Sequence, residues 1–213
     1  MVGPDSEVML VDDDPSVRRA LTRLLRTAGF KVSSYASAEE YLDHYNPATP
    51  GCLILDLAMP GLGGLDLQSA LVAREYAPPI IFLAGQATVP DSVQALKRGA
   101  CEFFTKPIEE QVLLEAVLRA LEFDQSARRK REELAQLMRR LSSLTPWEAE
   151  VFKRVVGGKL IKQIAHELGT VEKTVKVHRG RVMDKLGASS LAELVAIAVR
   201  FGICDAHWDS LSA

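Results

Sequence analysis

The chain has 213 residues, 47% hydrophobic, 25% charged and 6% aromatic, with a formal net charge of −2. That composition suits a packed globular protein and excludes a low-complexity, collagen-like or disulfide-scaffold chain; Cys52, Cys101 and Cys204 form no C-x-x-C pair, and four scattered histidines offer no zinc site. No basic segment followed by an apolar stretch opens the sequence, and no apolar run approaches a membrane span, so a cytoplasmic protein without membrane contact is expected.

The small net charge conceals a division. Residues 1–120 hold 10 basic and 16 acidic side chains, 121–144 hold 6 and 4, and 145–213 hold 10 and 8. An acidic part is therefore followed by a mildly basic one.

In chain order, Glu7–Val11, Lys31–Tyr35, Cys52–Leu57, Pro79–Ala84 and Ala100–Phe104 read as strands, each followed by a helical pattern. Five such units predict an α/β fold, a five-stranded doubly wound parallel sheet covered on both faces. In the first helix Asp14 and Pro15 mark the start, Val17, Leu21, Leu24, Leu25 and Ala28 share a face, and Gly29 marks the end. Ser37 with Glu40 reads as a capping box for the second. The fifth helix begins near Glu109 and meets no Pro or Gly before Pro146, so residues 123–143 read as a helical linker that continues it. Leu134, Leu137, Met138 and Leu141 give that linker an apolar stripe, for which a short coiled coil and docking onto a neighbouring domain are both compatible partners. From Leu144 four short helices follow without a strand: Thr145 and Glu148 cap the first, Gly157-Gly158 end it, Gly169 ends the second, Val171–Leu186 is the third, and Ser190 with Glu193 cap the fourth. The expected organisation is a first domain over 1–122, a linker over 123–143 and an all-α domain over 144–213.

Ligands of an open parallel sheet bind beyond the carboxyl ends of its strands. Asp12 and Asp13 end strand one, Asp56 ends strand three, and Lys106-Pro107 follows strand five. Taken singly, an acid after a strand is a helix cap, and Asp14 is read as one. Three carboxylates in one crevice instead call for a cation, and all-oxygen ligation suits Mg²⁺. A carboxylate held by a metal and faced by an ammonium is set to attack phosphorus, because both cations offset the charge on the phosphoryl oxygens.

Val11-Asp12-Asp13, Leu55-Asp56-Leu57-Ala58-Met59-Pro60-Gly61 and Phe104-Thr105-Lys106-Pro107 resemble the signature stretches of two-component receiver domains. The resemblance implies that Asp56 accepts a phosphoryl group from a sensor histidine kinase. It further implies that Asp12, Asp13, Asp56 and the Ala58 carbonyl hold Mg²⁺, and that Lys106, followed by a cis peptide, contacts the phosphoryl group. The sequence departs from the family at the switch: Ala84 stands where a Thr or Ser hydroxyl reaches the phosphoryl oxygen, with Gln86 a candidate substitute, and Phe103 stands at the aromatic switch position without a hydroxyl.

In the third helix of the second half, Val171, Val175, Val182 and Leu186 fall on one side, and Lys173, Lys176, Val177, Gly180 and Arg181 on the other. Charge alone reads as a solvated face; a helix-turn-helix geometry makes it a reader of double-stranded DNA. Cations there, Arg179 among them, would pair with phosphates, Lys176 would reach guanine and Val177 a thymine methyl. Leu144-Thr145-Pro146, Lys162-Gln163-Ile164-Ala165 and Glu172-Lys173-Thr174-Val175-Lys176-Val177-His178-Arg179 are similar to the LuxR-type helix-turn-helix. Together with the receiver, the chain resembles the NarL/FixJ class of response regulators, nearest its FixJ-like branch. The resemblance implies a phosphorylation-controlled transcription regulator, a homodimer on DNA or when phosphorylated, with the transcription machinery as a further candidate partner and no free-standing enzyme activity beyond auto-dephosphorylation. The second reading, prompted by Ala84, is a DNA-binding regulator whose receiver is weakly coupled to phosphorylation. A phosphatase is disfavoured, since Ala58 lacks the acid such enzymes carry two residues after the nucleophile.

Overall fold

The computed structural model describes residues 6–74 and 76–203; Cys204 and His207 lie outside them. The chain divides into two compact units, Met1–Lys130 and Arg131–Ala213.

The first unit is a parallel sheet of β1 (Glu7–Val11), β2 (Lys31–Tyr35), β3 (Gly51–Asp56), β4 (Ile80–Ala84) and β5 (Glu102–Thr105), in the order β2-β1-β3-β4-β5. Strands three, four and five each differ by one or two residues from their predicted bounds. Side chains alternate across a strand, and here both faces are apolar because both are covered. Val8, Leu10, Cys52, Ile54, Ile81 and Leu83 pack on one face against Leu25 of α1 (Pro15–Thr27) and Leu113 and Val117 of α5 (Glu110–Ser142). Met9, Val11, Leu53, Leu55, Ile80 and Phe82 pack on the other, against Tyr41 of α2 (Ala38–His44), Leu67 and Leu71 of α3 (Gly64–Val72), and Ala95 of α4 (Val89–Lys97). Burying each of these leucines stabilises the fold by about 1.5–3 kcal/mol.

The caps follow the sequence closely. Asp14 accepts from the amides of Ser16 (2.7 Å) and Val17 (3.4 Å). The second helix departs from the predicted box: Ser37 accepts from the Glu40 amide, but the Glu40 carboxylate reaches back to the Ala36 amide instead of that of Ser37. At the amino end of β3, the buried Asp124 carboxylate on α5 accepts from the Gly51 amide (2.9 Å) and from Arg128 Nε (2.8 Å). Arg128 also donates to the carbonyls of Ala48 (3.2 Å) and Thr49 (2.6 Å) and lies over the Tyr76 ring. This cluster ties the loop before β3 to α5.

The predicted linker is helical: α5 runs unbroken for 33 residues, to Ser142. Of its apolar stripe, Leu141 is buried in the core of the second unit, whereas Leu134 and Met138 are exposed.

The second unit contains α6 (Pro146–Val156), α7 (Ile161–Glu167), α8 (Glu172–Leu186) and α9 (Leu191–Arg200). Val151, Phe152, Ile164, Val175, Val182, Leu186, Leu194 and Ala198 form one core. The Thr145–Glu148 capping box is complete, and the Glu148 carboxylate also accepts from Lys185 (2.6 Å). Gly187 ends α8 with φ 69°, a left-handed conformation that favours glycine. No helix among the described residues is long and apolar enough to cross a membrane.

Candidate functional site

Strand order reverses at β1, whose two neighbours are β2 and β3, so loops there diverge and leave a crevice at the carboxyl end of the sheet. Asp12 and Asp13 follow β1 on one side of it, Asp56 is the last residue of β3, and Lys106 follows β5. One carboxylate oxygen from each of the three acids lies within 4.8 Å of the others. Lys106 Nζ stands 2.7 Å from Asp12 Oδ2 and 3.3 Å from Asp56 Oδ1. Asp12 and Asp56 are buried and Asp13 is exposed, which opens the cluster to solvent on one side.

Backbone contacts fix the geometry. The Lys106 amide donates to the Ala84 carbonyl (2.8 Å), and the Lys106–Pro107 peptide is cis. The Leu57 amide donates to Asp56 Oδ1 (2.8 Å), and that of Asp14 to Asp12 Oδ1 (2.9 Å). Gly64 opens α3 directly against β3: a Cβ there would stand 2.3 Å from the Asp56 carbonyl oxygen, so only glycine permits this approach. Arg18, which the sequence reading passed over, donates to the carbonyls of Asp12 (2.6 Å) and Asp13 (3.3 Å) and braces their turn. Helical periodicity identifies the faces of α1 but carries no signal that one arginine turns back onto a preceding loop.

Burial, together with the Asp12 charge, raises the Asp56 carboxyl above the ordinary carboxylate range, although Lys106 pulls it down. Burial works against the Lys106 ammonium too, yet its bond to Asp12 and the charges of Asp12 and Asp56 outweigh that and raise it. Three acids thus share a single ammonium. The pocket is short of positive charge, and its donors are all oxygens, the set that a hard divalent cation takes.

Ala58 is exposed in the β3–α3 loop. Ala84 is fully buried at the end of β4, and Gln86 is exposed beyond it. Phe103 is partly buried and packs on the α2–α4 side of the sheet, its ring stacked on Phe82 with centroids 5.8 Å apart.

On α8, Val175, Val182 and Leu186 are buried as predicted. Val171 is not: it is 65% exposed, because it is the N-cap residue, with extended backbone and no capping bond from its side chain, and precedes the helical face. Lys173, Lys176, Val177, Arg179 and Arg181 are exposed, and Gly180 is partly so. None of these four cations forms an ion pair among the described residues, whereas Lys185 is tied to Glu148 and the Ser143 carbonyl. Free positive charge is therefore concentrated on one side of α8. Trp147 packs toward His178 of α8, with ring centroids 6.1 Å apart.

Residues 8–118 match the response regulator receiver domain, and residues 142–198 match the LuxR family of bacterial regulatory proteins. The chain is a LuxR-type response regulator. This regulator is 42% identical over 200 residues to Nodulation protein W of Bradyrhizobium diazoefficiens, covering 94% of the present chain and 88% of that one. It is 36% identical to the transcriptional regulatory protein FixJ of Azorhizobium caulinodans, covering 93% and 94%. Among solved structures, the response regulator StyR is similar with a TM-score of 0.86 at 44% identity, over 92% of this chain and 99% of that one. Full-length FixJ from B. japonicum gives 0.57 at 33% identity, over 95% and 100%. The receiver and the LuxR-type DNA-binding domain make this response regulator a member of the NarL/FixJ class that controls transcription.

Proposed function

We propose that Asp56 is the phospho-acceptor of this regulator, that the donor is a phosphohistidine on a sensor histidine kinase, and that α8 reads double-stranded DNA through Lys173, Lys176, Val177, Arg179, Gly180 and Arg181. The observation that carries the reading is the gathering of Asp12, Asp13, Asp56 and Lys106 at one end of the sheet, where a nucleophilic carboxylate faces an ammonium. In the transfer, an Asp56 carboxylate oxygen forms a bond to phosphorus as the P–N bond to the donor imidazole breaks, and the imidazole leaves with the bonding pair. Lys106 offsets the charge on the phosphoryl oxygens, and the Leu57 amide orients the attacking carboxylate. Asp12, Asp13 and Asp56, with the Ala58 carbonyl, would hold Mg²⁺, which when bound supplies the positive charge that Lys106 alone cannot. Hydrolysis of the acyl phosphate by water is the one further reaction assigned to the pocket.

Residues 1–122 act as the receiver, 123–143 as a helical linker and 144–213 as the DNA-binding domain, in a cytoplasmic protein that pairs as a homodimer on DNA and contacts the transcription machinery there. Pairing raises DNA affinity by making the second attachment intramolecular. Phosphotransfer to the wild type and to Asp56→Asn tests the acceptor: label is expected on the wild type only, and equal labelling removes Asp56 from the role.

Ala84 favours a second reading. With a buried methyl in place of a hydroxyl, the receiver loses a bond to the phosphoryl oxygen that would tie its active conformation to phosphorylation. Equal DNA affinities of the phosphorylated and unphosphorylated forms would establish it.

A further inference from the structure

Outside the acidic pocket, a run of arginines without an ion pair among the described residues lies along α1. Arg19, Arg23 and Arg26 recur at helical spacing and share one face, with Arg18 beside them. The four guanidiniums border an open groove of about 550 Å³ between α1 and β2. The hydroxyl residues Thr22, Thr27 and Ser34 also line it.

None of the four arginines forms an ion pair among the described residues. Their recorded bonds go to neutral oxygens: Arg18 to the Asp12 and Asp13 carbonyls, Arg19 to the Ser16 hydroxyl (3.5 Å) and Arg26 to the Val32 carbonyl (3.1 Å). The Thr22 hydroxyl is buried without a hydrogen-bond partner among those residues. Like charges at helical spacing repel, so the helix holds this array against its own electrostatics. Guanidinium forks interleaved with hydroxyls match phosphate oxygens, and the groove falls in the size range of small-molecule sites, roughly 300–1,000 Å³.

We propose that the α1–β2 groove binds a small molecule carrying two or more linked phosphoryl groups. The groove is shallow and open, and its lining includes the hydroxyl residues Thr27 and Ser34, which phosphoryl oxygens would engage and a flat acidic face of a protein partner would leave unused. The groove is distinct from the acidic pocket, which in the absence of metal repels anions. Arg18 borders both, so it is left intact in the test.

The test is calorimetric titration of the full chain with inorganic triphosphate and, separately, with ATP, at fixed ionic strength in EDTA. Wild type is expected to bind one equivalent saturably. Arg19→Ala/Arg23→Ala, which removes exposed side chains and should leave the circular dichroism unchanged, is expected to weaken binding at least tenfold. Lys173→Ala/Lys176→Ala on α8 is expected to bind as wild type does. Equal affinity for the two probes assigns recognition to the phosphates, and tighter ATP binding adds a nucleoside contact within the same site. Absence of saturable heat in the wild type, or wild-type affinity in the α1 double variant, overturns the proposal. If the heat is absent and that variant also accepts phosphoryl groups more slowly from a phosphohistidine protein, the arginines serve a protein partner and the small-anion site is refuted.

Discussion

Replacing Lys106 by Met keeps most of the aliphatic stem and deletes the one ammonium that the described residues place in the acidic pocket. Nζ lies 2.7 Å from Asp12 and 3.3 Å from Asp56, and the side chains of Lys106, Asp12 and Asp56 are 21%, 2% and 10% exposed. At an effective dielectric constant of about 20, each attraction amounts to about 5–6 kcal/mol before desolvation is deducted. Removing one partner of a buried pair costs about 3–5 kcal/mol. The low end applies here, about 3 kcal/mol, because the amides of Asp14 and Leu57 still bond Asp12 and Asp56 and Asp13 remains hydrated. Urea unfolding in EDTA and in millimolar Mg²⁺ measures the loss. The four tyrosines, Tyr35, Tyr41, Tyr45 and Tyr76, belong to the first unit and Trp147 to the second, so tyrosine and Trp147 signals follow the two units separately. Lys106→Met should lose about 3 kcal/mol in EDTA and be stabilised by Mg²⁺ more than the wild type, since the cation then relieves a larger repulsion. A loss below about 1 kcal/mol, with equal Mg²⁺ responses, would refute the account of the pocket as three acids balanced on one lysine.

Ala84→Thr restores a hydroxyl at the switch; since a hydrogen bond to a charged group is worth about 1.5–3 kcal/mol, the ratio of DNA affinities with and without phosphorylation should grow by roughly tenfold or more, as read by fluorescence anisotropy at fixed salt. Asp56 has a raised carboxyl, so the folded state binds the extra proton and stability falls as pH rises through the ordinary carboxylate range toward the raised value. Asp56→Asn should therefore be more stable than wild type at neutral pH in EDTA, with the gap closing in acid below the ordinary carboxylate pKa; thermal melts against pH check the sign. Gly180 has open space where a Cβ would stand, so Gly180→Ala should stabilise the second unit by about 0.5–1 kcal/mol in urea unfolding; a simultaneous loss of DNA affinity would show that the missing methyl serves close approach to DNA. Lys176→Ala should weaken specific DNA binding in gel shifts and leave phosphorylation intact, and undiminished binding would move the reading face off α8.

Much of this molecule is legible in its sequence because the governing interactions are local or periodic. Apolar runs bounded by turn residues mark the five strands, and strand-end acids announce the crevice because a parallel sheet delivers every strand end to one side. Asp14 and the Thr145–Glu148 box follow from contacts spanning two or three residues. What escapes is long-range and polar. Asp124 sits in a helical stretch that reads as a charged surface, yet it is 1% exposed, because its partner is the amide of Gly51, 73 residues earlier. Lys185 carries no signal in the sequence that it reaches Glu148, 37 residues earlier, whose carboxylate accepts from its ammonium. Val171 fits the helical wheel of α8 and fails as a core residue because the wheel does not mark where the helix begins.

The contacts of Asp124 and Arg128 bear on how this protein is cut into fragments. The family match to the receiver ends at residue 118, and helical patterning alone favours a terminus near 122. Both termini sever the side chains that hold the Gly51 amide and the Ala48–Thr49 carbonyls, leaving the leading edge of the acceptor strand with polar groups that only solvent can satisfy. A fragment retaining residues through 130 keeps that anchorage. Phosphorylation lifetimes or melting points taken on the shorter piece would then report a frayed strand and not the chemistry of its aspartate.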